Sequence, residues 1–434
     1  MRRIARRTAL RAAALAAGGL ALSLLHRAFG LPLASVGADE PELPRKLYLP
    51  GLWGSQGPAH TATPSATTSP TSSPTATATI APSATATPTP TSGPRVLQVH
   101  APAATHWDFT TGWFGDCVDQ QVVNQMVDEG LMRLTGAPSV ALAWKGLLPA
   151  YQPGQKIAVK INLNNARNAV QCVDSDNAID ALIEAVNALI RSLVMAGIRE
   201  DDVWVYDAIR DMPARFYGRR LYTRARFISK SCGDEVATFN HVDPSLLVAF
   251  SQPAMRMQRW LTDLLFRATY VINMPILKRH GTHPVTLGFK NHFGSLSYLG
   301  GEGDDNPHYL INPSDARYRP ESSPLVDIYA NPSIAGKTVL TMADGLFGAP
   351  GAPLAPVRWQ TFGNMAPNSL FFSRDPVAID CVLCDFLRAE WPGRVGETAY
   401  DYLREARRRG LGTFETGDPW GAGYRIIDYV KVDL

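Results

Sequence analysis

A chain of 434 residues, 45% apolar and 9% aromatic, has enough apolar surface for a large core, which excludes a wholly disordered or fibrous protein. Its formal charge is +3, but six of its 42 Lys and Arg residues (Arg2, Arg3, Arg6, Arg7, Arg11 and Arg27) fall in the first 38 residues, where no acid occurs. The rest carries 36 bases against 39 acids, so no global positive field gathers nucleic acid and no such partner is expected.

The first 38 residues have a basic start, an apolar stretch from Ala12 to Leu25, then small residues ending at Val36-Gly37-Ala38. That order predicts an export signal over 1–38, and Arg6-Arg7 before Thr8-Ala9-Leu10 resembles the twin-arginine kind, which engages a translocation machinery for folded proteins. An uncleaved membrane anchor is the alternative, although 14 residues fall short of the ~18 needed to cross a bilayer. Residues 39–94 begin with an apolar stub, Leu47 to Trp53, and from Thr61 are almost entirely Thr, Pro, Ser and Ala. Such a composition cannot bury enough surface to offset its ordering entropy, so a disordered tether is expected, able to hold a domain within the cell envelope or outside it.

From residue 95 onward the hydrophobic period alternates. Short strands are predicted at Val96 to Val99, Lys156 to Ile161, Val203 to Tyr206, Tyr270 to Ile272 and Thr338 to Leu340. Helical spacing links Val118, Val122, Met126 and Leu131, and a second stripe runs from Ile179 to Leu193 and stops at Gly197. A third helix is predicted from Pro376 to Glu390, with proline at its first turn. The expectation is a single α/β domain over 95–434: a mostly parallel sheet with helices on both faces.

Ligands of such sheets bind outside the strand carboxyl ends, which makes polar residues there informative. Lys160-Ile161-Asn162-Leu163-Asn164-Asn165 places a base and three amides after a strand, either an anion clamp or an amide-capped turn. Asp207, with Arg210 and Asp211 behind it, can hold a metal, act as a base or cap a helix. Residues 273–294 bring three His, two Lys, one Arg and two Asn among apolar residues and glycines, including Lys278, His280, His283, Lys290 and Asn291. Lysines there supply charge for a phosphate or carboxylate, and the histidines can move protons or bind a metal. Asp344 follows another strand; Asp375 sits where a helix cap belongs, and Asp380 lies in that helix's first turns.

Cys381 and Cys384 form a CxxC inside the same helix, either a redox pair or two small core residues. Cys117, Cys172 and Cys232 stand alone in the sequence, and five cysteines in total leave at least one outside an intramolecular pair. No GxGxxG, Walker A, HExxH or GxSxG pattern occurs.

The segments Ile157 to Asn164, the strand-end Asp207, Ile272 to Gly294, Met342 to Gly345 and Ser373 to Asp380, in this order, resemble the uncharacterised family named domain of unknown function 362. The most specific part is the NMPILKRH stretch followed by GFKN. The resemblance implies an α/β domain whose shared polar residues include Lys160, Asn162, Lys278, His280, Lys290, Asn291, Asp344, Asp375 and Asp380. Some members carry a ferredoxin-type cluster module; this chain has no CxxCxxC run, so no iron–sulfur cluster follows.

Together these readings predict a pocket for an anionic small molecule bearing phosphate or carboxylate. In a catalytic version Lys278 and Lys290 neutralise ligand charge, His280 moves a proton and Asp207 acts as base. Lys160, Asn162, Asn291, Asp344, Asp375 and Asp380 complete the binding set. A divalent metal on some of Asp207, His280, His283 and Asp344 is a further candidate cofactor. The alternatives are a non-catalytic surface protein that captures a solute or wall component, and a redox protein using Cys381 and Cys384.

Overall fold

The computed structural model describes residues 93–164, 172, 177–297 and 305–434. The export signal predicted over 1–38 and all but the last two residues of the tether predicted over 39–94 lie outside the described residues. Eleven strands form one mixed sheet: β1 (Arg95–His100), β2 (Lys156–Lys160), β3 (Val203–Asp207), β4 (Arg226–Ser229), β5 (Glu235–Val236), β6 (Ala268–Asn273), β7 (Ile276–Arg279), β8 (Val285–Thr286), β9 (Thr338–Ala349), β10 (Ser369–Ser373) and β11 (Asp428–Asp433). Their spatial order is β11-β1-β10-β9-β6-β2-β3-β4-β5, with the β7–β8 hairpin attached beside β9. All strands run the same way except β10 and β8, which are antiparallel to their neighbours.

Each strand divides its side chains between two cores, as the period of two requires. Ile157 and Val159 of β2 join one apolar cluster and Ala158 the other; Val203 and Val205 oppose Trp204 and Tyr206 in the same manner. The first face is covered by α1 (Gln120–Thr135), α2 (Val140–Leu147) and α3 (Ile183–Met195), the second by α4 (Asp263–Arg267), α5 (Gly288–Asn291), α6 (Pro324–Tyr329), α7 (Pro376–Glu390) and α8 (Asp401–Arg408). Local chemistry sets the ends of these helices. Asp119 accepts hydrogen bonds from the Gln121 and Val122 amides to start α1, and Gly136 at φ 70° ends it.

The helix expected from Ile179 begins four residues later. The Ile179 amide donates to Leu354 O and the Ala181 amide to Asn162 O, at 3.0 and 2.9 Å. These tertiary bonds hold 179–182 extended at the edge of the strand ends, although the side-chain stripe alone would continue a helix through it.

From β2 the chain builds outward through β3, β4 and β5, then returns to the other side of β2 as β6. The order therefore reverses between β2 and β6. In open α/β sheets the crevice at the carboxyl ends on either side of such a reversal is where ligands bind.

Candidate functional site

Lys160 ends β2 and lies opposite Asn273, which ends β6, and Tyr206, one residue before the end of β3 at Asp207. Three neighbouring strands thus deliver a base, an amide and a carboxylate to one place. Lys160 is fully buried, and its Nζ pairs with Asp207 Oδ2 at 3.1 Å while also donating to Ile161 O. Asp207 in turn accepts from the Leu163 amide at 3.2 Å.

Asn291, at the end of α5, sits across this pair. Its Nδ2 donates to Asn273 Oδ1 at 2.8 Å and to Lys160 O at 3.1 Å, and its Oδ1 accepts from Asn162 Nδ2 at 3.2 Å. Asn273 Nδ2 then donates to Gly288 O at 2.9 Å. The amides therefore tie the GFKN turn onto the ends of β2 and β6. Gly294 closes the arrangement: a Cβ there would lie 2.5 Å from Lys160 Nζ and 2.8 Å from Asp207 Oδ1, so only glycine lets the backbone lie over the ion pair.

A narrow cleft opens beside this network, lined by Asn162, Asn164, Asp207, Arg210, Thr286, Lys290 and His308 among others. Its interior amounts to about 20 Å³, room for one or two waters. It therefore suits the end of a ligand better than a whole molecule.

Two of its groups have no polar side-chain partner among the described residues. Lys290 is buried, forms no ion pair among the described residues, and holds its Nζ 4.3 Å from the Phe293 ring centroid. Burial, then the positive charges of Arg210 and Lys278, push its amine down to about 7. Thr286 Oγ1 is buried without a hydrogen bond among the described residues. Lys278 stands directly opposite Thr286 across the β7–β8 hairpin, so both side chains share a face. Lys278 Nζ donates to Ile179 O at 3.2 Å, and burial lowers it to about 8 against the pull of Asp180.

His280 stands close enough to Lys290 and Lys278 for burial and then their charges to hold its imidazole far below its usual range, so it is neutral. Its Nδ1 accepts from the Thr282 amide at 3.1 Å.

The structure thus brings Lys160, Asn162, Asp207, Asn291, Lys278, Lys290 and His280 to one end of the sheet. The other predicted site residues are engaged elsewhere. His283 Nδ1 lies 2.9 Å from Val285 O and its ring packs on Tyr402. Asp344 accepts from the Leu346 amide at 3.0 Å and the Leu182 amide at 3.4 Å, and burial raises its carboxyl to about 7. Asp380 accepts from the Gly288 and Phe289 amides at 2.8 and 3.2 Å and from Tyr402 OH at 3.1 Å, so it holds the GFKN turn from behind. Asp375 caps α7 through the Val377 and Ala378 amides, both at 2.9 Å. Because β10 runs against β9, with Ser373 opposite Thr341, its carboxyl end carries Asp375 away from Asp344.

The candidate metal ligands Asp207, His280, His283 and Asp344 are each held by the partners just given. Among the described residues no group of three or more His, Cys, Asp or Glu side chains is placed to hold a metal ion. Cys381 and Cys384 are unbonded and fully buried, and burial pushes both thiols well above their usual range, an environment that makes thiols inert.

Reading the sequence passed over three contributors. Thr286 carries no pattern that marks it in the sequence, and Asp180 lies in an apolar run that reads as helix. Cys172 and Cys232 form a disulfide across 60 residues, which spacing could not show.

No curated protein matches the chain. Residues 157–385, just over half of its length, match the family described as a domain of unknown function, DUF362, and that span contains every strand end, amide and cation of the cleft. The chain belongs to this domain of unknown function family.

Proposed function

We propose that the cleft at the carboxyl ends of β6, β2 and β3 binds the anionic end, phosphate or carboxylate, of a small molecule. The observation that carries this is the pairing of Lys290 with Thr286. Among the described residues a buried ammonium without a carboxylate and a buried hydroxyl without a partner both line one cleft, and each costs folding free energy until something fills that role. Arg210 and Lys278 add positive charge next to them. The ion pair of Lys160 with Asp207 is internally neutral and acts as the floor, fixing Asn162 and Asn291.

Thermal melting of the full chain against inorganic phosphate, citrate and pyruvate tests this reading. A ligand that binds only the folded state raises the melting temperature. A charge-assisted hydrogen bond contributes about 1.5–3 kcal/mol, so Lys290→Met should weaken the response about tenfold or more. An unshifted melting temperature with every anion, or equal shifts in the variant, would overturn it.

We also propose that the domain works outside the cytoplasm, exported by its twin-arginine-like start and held on the Thr/Pro-rich tether. The Cys172–Cys232 disulfide supports this, since such bonds persist mainly in oxidising compartments. Replacing Arg6 and Arg7 together by lysine should retain the protein in the cytoplasm; unchanged secretion would sink the twin-arginine route.

A further inference from the structure

We propose that Lys290 is a nucleophilic amine that forms an imine with the carbonyl carbon of a small 2-oxo acid, whose carboxylate is held by Arg210 and the Thr286 hydroxyl. This rests on the anion reading above and narrows it to a substrate class.

The comparison with Lys160 motivates it. Burial pushes the Lys160 amine down as well, but the Asp207 carboxylate 3.1 Å away works against that and favours the ammonium. Lys290 is its opposite. Its Nζ lies 4.3 Å from the Phe293 ring centroid, and burial together with the charges of Arg210 and Lys278 disfavours the ammonium and leaves a substantial neutral fraction near pH 7. Desolvation beside other positive charges is how proteins turn lysine into a nucleophile.

Geometry adds two constraints. Lys290 lines the open cleft with Thr286 and Asn162, so a ligand reaches it. The cleft takes the end of a molecule, and in a 2-oxo acid the carboxylate and the carbonyl are adjacent at that end. One terminal group then engages Arg210 and Thr286 and presents an electrophile to the amine.

The step balances without an oxidant or reductant. The neutral Nζ adds to the carbonyl carbon as the carbon–oxygen π pair moves onto oxygen. That oxygen collects one proton from the nitrogen and one from the surroundings and leaves as water, giving a protonated carbon–nitrogen double bond.

The test uses the full chain with pyruvate and sodium borohydride, which reduces an imine to a stable secondary amine, followed by peptide mapping by mass spectrometry. Lactate, with the same carboxylate and no carbonyl, is the control. The expected result is one reduced pyruvate adduct on Lys290, protection by lactate, and loss of the adduct in Lys290→Arg, which keeps the charge. Mapping in the unsubstituted chain stands even if that variant fails to fold. Labelling spread over Lys145, Lys230 and Lys431 would overturn the proposal. Melting shifts with both pyruvate and lactate but no adduct would overturn the imine and leave anion binding standing, whereas neither shift nor adduct would remove both.

Discussion

Two buried regions flank the GFKN turn, one rich in acids and one in lysines, and they treat their charges differently. On the acid side, Asp380 accepts from two amides and Tyr402 OH, and Asp385 accepts from Tyr400 OH at 2.6 Å, Tyr424 OH at 2.8 Å and the Gly417 amide at 2.9 Å. Every oxygen of these two carboxyl groups has a donor, so they are finished structural joints. On the lysine side, Lys160 has a carboxylate at ion-pair distance, Lys278 donates to a backbone carbonyl, and Lys290 lies against an aromatic ring. Buried polar groups that the fold satisfies hold the fold together, and the proposed ligand would complete those left open on the lysine side.

The contrast breaks first at Lys160, the one lysine assigned to the structural class. Its loss leaves Asp207 buried without its counter-charge, and removing one partner of a buried pair costs about 3–5 kcal/mol. Lys160→Met should therefore show the largest destabilisation of any lysine substitution in urea unfolding. Replacing both partners, as Lys160→Met with Asp207→Leu, should recover much of the loss. A cost below about 1 kcal/mol for the single change would mean that Lys160 belongs with the ligand-seeking cations.

A smaller effect separates Lys290 from the structural charges by pH. Burial, then Arg210 and Lys278, bring its folded value to about 7, while in an unfolded chain lysine titrates near 10.4. Between those values the unfolded chain holds a proton that the folded chain has released, so stability rises with pH from about 7 to about 10. The rise is at most about 1.4 kcal/mol per pH unit for one such amine. Lys278, lowered to about 8, adds to it over the upper part of the window. Unfolding free energies at pH 7, 8 and 9 should climb in the unsubstituted protein and climb less steeply in Lys290→Met. Parallel slopes would show that Lys290 is not an isolated buried amine, and the distinction between the two regions would fail.

Much of this site is legible in the sequence because strand ends are local. Lys160 and Asp207 each follow a β-branched or aromatic run, and Lys290 and Asn291 sit in a glycine-bounded turn, so position and chemistry coincide within a few residues. What is not legible depends on distant segments. Asp380 reads as a ligand candidate, yet its partners are Gly288 and Phe289, 92 and 91 positions away. Asp375 reads both as a helix cap and as part of the binding set; it is the cap, and the reversed direction of β10 carries it away from Asp344. Thr286 becomes notable only because no group among the described residues reaches its hydroxyl, which no local pattern encodes.

The smallest effect concerns the thiols on α7, which sit among the acids. If that region were a redox centre, Cys381 and Cys384 would be accessible and easily ionised. Instead both are fully buried and unbonded, with burial and then nearby groups, the carboxyl of Asp380 among them, holding them in the thiol form. A thiol reagent added to the native protein should therefore label Cys117, which is partly exposed, and leave the α7 pair untouched until denaturant is added. Replacing Cys381 by alanine should cost no more than about 1–2 kcal/mol, as small volume losses in a core do. Rapid native labelling of Cys381 or Cys384 would require α7 to open on the reaction timescale, and Asp380 and Asp385 would then be parts of a moving element instead of fixed joints.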